Sequence, residues 1–100
     1  MTEIKATVSG KHYRIEAKNH ADNTNTCAII SAFICTLAGA AQLNPEAKSV
    51  HTKLEPGDAM VQYIATGDTA EEDMRIILLG LIRLEADFPD AVHVEQNIFK

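Results

Sequence analysis

The longest apolar stretch of the chain constrains its fold more than any other feature. This stretch, "CAIISAFICTLAGAAQL" at residues 27 to 43, carries no charge and ends just before Pro45. It is too long for an ordinary strand, and proline cannot continue a helix, so we predict a helix that ends there. A helix that is apolar on nearly every side must be buried on nearly every side, whereas a small two-layer domain covers only one face. We therefore expect a second copy of the chain to cover the other face, in a homodimer.

Alternating hydrophobicity predicts strands on both sides of this helix. Ser9-Gly10-Lys11 lies between the first two alternating segments and suits a tight hairpin. Glu55-Pro56-Gly57-Asp58 separates the next two and is a strong turn signal, because proline fixes its φ and glycine accepts a positive φ. With a last segment near the end of the sequence, we predict strands at residues 2–9, 12–18, 48–54, 59–66 and 91–99.

A second helix is predicted from Asp68 to the residue before Pro89. Asp68-Thr69-Ala70-Glu71 has the pattern of a capping box with aspartate as the capping side chain. Apolar residues then recur at helical spacing: Met74, Ile77, Leu78, Leu81 and Phe88. The resulting order, ββαββαβ, predicts a two-layer α+β fold, with a mainly antiparallel sheet and two helices on one face. We expect all 100 residues to form a single domain.

Charge and cysteine content limit the classes of function. The formal net charge is −5 and no cluster of Lys or Arg is interleaved with aromatics, so we expect no direct nucleic-acid binding. Two cysteines are too few for a secreted disulfide scaffold, and Cys27 and Cys35 would lie about 12 Å apart along the helix, too far to bridge. Ser31, Thr36 and Gly39 interrupt the longest apolar run, and no signal core is recognisable, so we expect a cytoplasmic protein without a membrane segment.

The segment "NHADNTNTCAIIS", residues 19 to 31, carries the candidate chemistry. His20 follows the second strand and Cys27 falls in the first turn of the helix, so the loop between them can bring imidazole and thiol together. The positive end of the helix dipole favours the thiolate form of Cys27. The imidazole can accept the thiol proton and later return it to a leaving amine, as in a Cys-His hydrolase. The same spacing also fits a histidine and a cysteine that merely flank a loop.

The remaining cysteine and histidines are given structural interpretations. Cys35 is expected to be a small core residue. Three histidines are expected to be solvated on the polar faces of their strands: His12, His51 and His93. A zinc site built from His20, Cys27 and one of these would lack the paired CxxC or HxxxH spacing that usually supports one. We therefore expect no metal and no cofactor.

Two segments resemble the Prp family of small bacterial and phage cysteine proteases. "AKNHADNTNTCAIISAF", residues 17 to 33, is similar to the family signature, in which Gly-His-Ala ends a strand and Cys-Ala-x-x-Ser opens the next helix. "GLIRLEADFPDAVHVE", residues 80 to 95, is similar to the family's last helix and strand. The resemblance implies Cys27 as nucleophile, His20 as base and Ser31 as a supporting polar residue. It also implies a homodimer, and a substrate that is either the N-terminal extension of a ribosomal protein or a phage capsid or scaffold protein.

The sequence departs from this family pattern around the candidate pair. Asn19 replaces the glycine before the histidine, the loop is shorter, and Thr24 stands where many members have an aspartate. Asp22 either replaces that acid and orients His20, or only opens the turn. Two functions from different classes follow. The chain is either a Prp-type cysteine endopeptidase, or a catalytically silent homodimer that binds peptides or serves assembly.

Overall fold

The computed structural model describes residues 1–20 and 24–99. Within these residues the chain forms five strands and two helices in the order ββαββαβ, which confirms the predicted order and the α+β class. The elements are β1 (Thr2–Ser9), β2 (His12–Lys18), α1 (Thr24–Leu43), β3 (Ala47–Glu55), β4 (Asp58–Ala65), α2 (Asp68–Asp87) and β5 (Val92–Phe99).

The strands form one mixed sheet in the order β3-β4-β2-β1-β5. Neighbouring strands are antiparallel except for β1 and β5, which are parallel, so the sheet is mainly antiparallel as predicted. Both predicted hairpin turns are present, with Gly10 at a φ of 61° and Gly57 at a φ of 71°. The pairing of β2 with β4 places Lys18 opposite Asp58, so the end of β2 lies beside the turn between β3 and β4.

Both helices pack on the face of the sheet that carries the buried strand residues. α1 contacts β3 and β4, and α2 contacts β5 and β4. The two helices also contact each other where the ring of Phe33 lies against Gly80. A Cβ atom at Gly80 would lie 2.5 Å from Phe33 Cε1, so the absence of a side chain allows this close approach.

α1 is buried on one side rather than on every side. Its buried apolar side chains lie on the side that packs against the sheet and α2: Ile30, Ile34, Leu37, Ala38 and Ala41. Cys35, which was predicted to lie in the core, is exposed. Successive residues of a helix are about 100° apart, so Cys35 is turned away from the buried Ile34 and falls on the same flank as Cys27 and Ser31.

The segment Asn25–Leu43 of α1 is long and apolar enough to cross a membrane by length and composition alone. The expectation that Ser31, Thr36 and Gly39 leave no apolar run of this length is therefore wrong. This is weak evidence for a membrane helix, because core helices of soluble proteins have the same length and composition. About a third of the segment is buried against the rest of the fold.

The start of α2 is capped differently from the prediction. Gly67 is the N-cap residue and contributes no side chain, while Asp68 is the first residue of the helix. The carboxylate of Glu46 accepts a hydrogen bond from the backbone N–H of Thr69, with 3.0 Å between Thr69 N and Glu46 Oε1. The predicted Asp68 capping box is wrong because a carboxylate from the loop before β3 takes over this role.

Candidate active site

His20 leaves the sheet through a left-handed backbone turn at Asn19. Asn19 has a φ of 69°, a conformation that glycine adopts without strain and that asparagine tolerates better than most residues. Its backbone N–H donates a hydrogen bond to the carbonyl of Gly57 (2.9 Å), and its carbonyl accepts one from the hydroxyl of Thr2 (3.2 Å). Asn19 precedes the histidine, where the signature that the sequence resembles has glycine, and its backbone conformation is one suited to glycine.

The imidazole of His20 lies directly against the turn between β3 and β4. A Cβ atom built on Gly57 would be 2.7 Å from His20 Nε2, 3.0 Å from Cδ2 and 3.3 Å from Cε1. Cβ atoms in proteins essentially never lie within 3.0 Å of nonbonded heavy atoms of other residues. The ring thus occupies the space that the Cβ atom of any other residue at position 57 would need.

Cys27 and Ser31 lie on one flank of α1. Cys27 is in the first turn of the helix and is half-buried, and Ser31, one turn further along, is exposed. Cys35 follows after another turn on the same flank. The two cysteines are not joined in a disulfide. Their spacing of four residues from Ser31 explains why all three side chains face the same side.

A cavity of about 410 Å³ lies between this flank of α1, the ends of β1 and β2, and the β3–β4 turn. His20, Cys27 and Ser31 all line it, together with Cys35. Apolar side chains form much of the remaining wall: Ala17, Ile30, Ile34, Leu54, Pro56 and Ala59. The structure thus brings three of the predicted site residues to one cavity. The fourth, Asp22, lies outside the described residues.

A small charged cluster lies at the edge of the cavity. Asp58, which lines the cavity, forms ion pairs with Lys18 and Lys53. Hydrogen bonds from Lys18 and Lys53 lower the pKa of Asp58 to about 2, and the hydrogen bond to Asp58 raises the pKa of Lys53. The carboxylate therefore stays ionised at neutral pH and joins the start of β4 to both neighbouring strands.

The other histidines lie away from this cavity. As predicted, all three are exposed on their strands: His12, His51 and His93. His93 Nδ1 lies 3.3 Å from a carboxylate oxygen of Glu85. Within residues 1–20 and 24–99, no group of three or more His, Cys, Asp or Glu side chains is arranged to hold a metal ion.

Two contributors to the cavity were missed in the sequence, namely Cys35 and the β3–β4 turn. Cys35 has the same four-residue spacing from Ser31 as Cys27, and this spacing was the signal that could have placed it here. The Pro56-Gly57 turn was recognised as a turn, but its contact with His20 depends on the pairing of β2 with β4. No local pattern in the sequence encodes that pairing.

This α+β fold is similar to the folds of several solved structures, among them a ribosomal processing protease. The chain is similar to the essential ribosomal processing protease Prp from S. aureus in complex with a covalently linked product peptide, at a TM-score of 0.81 and 19% identity over 97% of this chain and 100% of that one. It is similar to the same protease in complex with a substrate peptide, at a TM-score of 0.79, 18% identity and the same coverage. SMU.848 from Streptococcus mutans matches at a TM-score of 0.76 and 15% identity over 98% of both chains.

These likenesses support the Prp resemblance over nearly the whole chain at the level of the fold. Sequence identities of 15 to 19% show the fold and leave the roles of individual residues to be tested. The sequence matches no protein-family model, and a search of curated proteins finds no match.

Proposed function

We propose that the chain is a cysteine endopeptidase of the Prp type. The observation that carries this proposal is that His20, from the end of β2, and Cys27, from the start of α1, line one cavity in a fold shared with Prp proteases. A protein that only binds peptides has no evident need for a thiol and an imidazole at one cavity.

In the proposed reaction, Cys27 is the nucleophile and His20 is the general base. His20 accepts the proton of the Cys27 thiol, and the thiolate attacks the carbonyl carbon of the scissile peptide bond. The imidazolium then donates its proton to the leaving amine as the C–N bond breaks, which leaves a thioester on Cys27. His20 then takes a proton from water, and the resulting hydroxide attacks the thioester carbonyl. The C–S bond breaks, so that the peptide leaves as a carboxylic acid and Cys27 is returned as a thiolate beside the imidazolium of His20.

Other groups near the pair have supporting roles in the proposal. The positive end of the α1 dipole stabilises negative charge on Cys27, which is in its first turn. Ser31 offers a hydroxyl within the cavity, one helical turn from the nucleophile. For Asp22 the two alternatives from the sequence stand: it orients His20, or it only opens the turn. Asp22→Asn separates them, because asparagine can also open a turn but has no carboxylate. Slower cleavage by this variant would indicate that the carboxylate orients the imidazole, whereas unchanged cleavage would indicate that Asp22 only opens the turn.

The proposed substrate is a cytoplasmic protein with a cleavable peptide segment. One of the solved neighbours is a ribosomal processing protease in complex with a covalently linked product peptide. From this likeness and the family resemblance of the sequence, we propose either the N-terminal extension of a ribosomal protein or a phage capsid or scaffold protein. A reducing cytoplasm would keep Cys27 in the thiol state that the reaction requires.

The test is cleavage of both candidate substrates, encoded by the genome that carries this chain. The wild type and Cys35→Ala are expected to cut one of them, whereas Cys27→Ala and His20→Ala are expected to leave it intact. Cys35→Ala is the matched control because it removes the other thiol of the same cavity. Binding of a substrate without cleavage by the wild type would favour the silent peptide-binding module. Equal cleavage by Cys27→Ala would point to a contaminating protease.

The proposal includes a homodimer formed through the exposed side of α1 beyond the cavity. That side presents Ile29, Ala32 and Thr36 to solvent, and small side chains allow two helices to approach closely. Light scattering is expected to give near twice the 10.9 kDa chain mass. Ala32→Glu is expected to give a monomer, while Ala86→Glu, an equivalent change at an exposed position of α2, keeps the dimer. A wild-type monomer at micromolar concentration would contradict the dimer.

A further inference from the structure

The turn between β3 and β4 meets the imidazole of His20 at a single residue, Gly57. Three ring atoms of His20 lie within 3.3 Å of the position that a Cβ atom on Gly57 would occupy, and the nearest, Nε2, lies at 2.7 Å. A side chain here must therefore displace the ring. Because the ring belongs to the same cavity as Cys27, any displacement changes where the base lies relative to the thiol.

Several bonds hold the turn against the end of β2, from which His20 extends. The backbone N–H of Asn19 donates to the carbonyl of Gly57 at 2.9 Å, which ties the turn to the residue just before His20. One step earlier, Lys18 pairs with Asp58 in the strand ladder and also through their side chains. The hydroxyl of Thr2 holds the carbonyl of Asn19 from the other side. The contact between ring and turn is thus supported by the sheet rather than by the flexible side chain alone.

Glycine at position 57 meets two separate requirements. Its φ of 71° is a left-handed conformation that favours glycine in any turn. Gly10, in the other hairpin, has a φ of 61°, but a Cβ there would meet nothing within 4 Å. The two glycines therefore share the conformational requirement, and only Gly57 also makes room for a functional side chain.

We propose that Gly57 is a positioning residue for His20. The β3–β4 turn forms a surface without a side chain, against which the imidazole lies, and this surface sets the orientation from which the ring accepts the proton of Cys27. In that step the S–H bond of Cys27 breaks and an N–H bond forms on the imidazole, giving thiolate and imidazolium. The inference rests on the proposed Cys27–His20 pair, and it assigns the β3–β4 hairpin a role in that pair.

The test compares matched substitutions in the two hairpin turns. Gly57→Asn and Gly10→Asn both introduce a Cβ with a residue that tolerates positive φ, and Gly57→Ala and Gly10→Ala form a second, more strained pair. All are made in a Cys35→Ala background, so that Cys27 is the only cysteine. The rate of Cys27 alkylation by iodoacetamide at pH 7 is the readout. Thermal unfolding reports the loss of stability in each variant, and the ring resonances of His20 report its displacement by NMR.

We expect the pairs to lose similar stability but to differ in Cys27 reactivity. Both Gly57 variants are expected to shift the His20 resonances and to slow alkylation by about tenfold, as His20→Ala does, while the Gly10 variants stay within about twofold of the parent. In a His20→Ala background, Gly57→Asn is expected to have no further effect, because the residue through which it acts is gone.

The possible failures are distinguishable. If Cys27 is alkylated as fast in the His20→Ala variant as in the parent, the Cys27–His20 pair itself is refuted. If alkylation of Cys27 is slow in His20→Ala but equally fast in the folded Gly57 and Gly10 variants, the pair stands and the positioning role of Gly57 is refuted. A further decrease from Gly57→Asn in the His20→Ala background would also overturn it, because the turn would then act on Cys27 by another route.

Discussion

Asn19 offers a quantitative test of how the chain directs His20 out of the sheet. A left-handed conformation costs about 1–2 kcal/mol for most L-residues, and asparagine pays less because its short polar side chain bonds locally. The two hydrogen bonds at Asn19 use its backbone N–H and carbonyl, so they survive a change of side chain. Asn19→Ala is therefore expected to destabilise the fold by about 1 kcal/mol. Asn19→Gly is expected to stay within about 0.5 kcal/mol, because relief of strain offsets the larger chain entropy lost on folding.

Thermal and urea unfolding measure this difference. A loss of about 1 kcal/mol lowers the Tm of a domain of this size by roughly 4–8 °C. The two variants serve as controls for each other, since both remove the asparagine side chain and only alanine adds strain at a φ of 69°. Equal Tm values for the alanine and glycine variants would refute the argument that backbone conformation decides which residue stands before His20.

Three further predictions concern the frame around the site. Ser49 has a φ of 51° at the irregular register of β3, so Ser49→Gly is expected to raise stability by about 0.5–1 kcal/mol, and a lower urea midpoint would contradict this. Because the pKa of Asp58 is lowered to about 2, the stabilising effect of its carboxylate is complete above the ordinary aspartate pKa and is lost as pH falls from about 4 to about 2. In Asp58→Asn the free energy of unfolding should therefore depend less on pH over that range. An unchanged pH dependence would argue against the Lys18–Asp58–Lys53 cluster. The buried hydroxyl of Tyr63 donates to the carbonyl of Ala70 at 2.6 Å, so Tyr63→Phe is expected to destabilise by about 1–3 kcal/mol, more than Tyr13→Phe in the stacked partner ring.

The element order could be predicted because its signals are local. Alternating residues and turn glycines mark the two hairpins, and Pro45 and Pro89 follow the ends of the helices. Nonlocal contacts could not be predicted in the same way. The cap of α2 comes from Glu46, in the loop before β3, so the apparent capping box at Asp68 was misleading. The exposure of Cys35 depends on which side of α1 the sheet covers, and the apolar composition of the helix concealed this.

The sequence predicted those parts of the candidate site that have local signals, and it missed the parts that depend on nonlocal contacts. Resemblance to a family signature pointed to His20 and Cys27, and the structure brings both to one cavity. The role of Gly57 lay beyond sequence reasoning, because it follows His20 by 37 positions and reaches it only through the pairing of β2 with β4. Asn19 was interpreted as a departure from the family pattern, and only its φ of 69° explains why asparagine stands there.

The exposure of Cys35 changes how the reactivity of Cys27 must be measured. Because Cys35 is exposed, its thiol is accessible to iodoacetamide and would add to the alkylation measured on the wild type. Cys27→Ala leaves Cys35 as the only cysteine and shows how an exposed thiol in the middle of α1 reacts. Cys35→Ala leaves Cys27 alone, and alanine is well suited to an exposed helical position.

The most direct test of the proposed pair is the rate of Cys27 alkylation across pH, in Cys35→Ala with and without His20→Ala. With His20 present, we expect rapid alkylation near neutral pH, faster than that of Cys35 in Cys27→Ala. Loss of His20 is expected to slow the reaction at pH 7 by about tenfold, and the two profiles should converge near pH 10, where most thiols are ionised. Coincident profiles over the whole range would show that His20 does not activate Cys27 and would contradict the proposed mechanism.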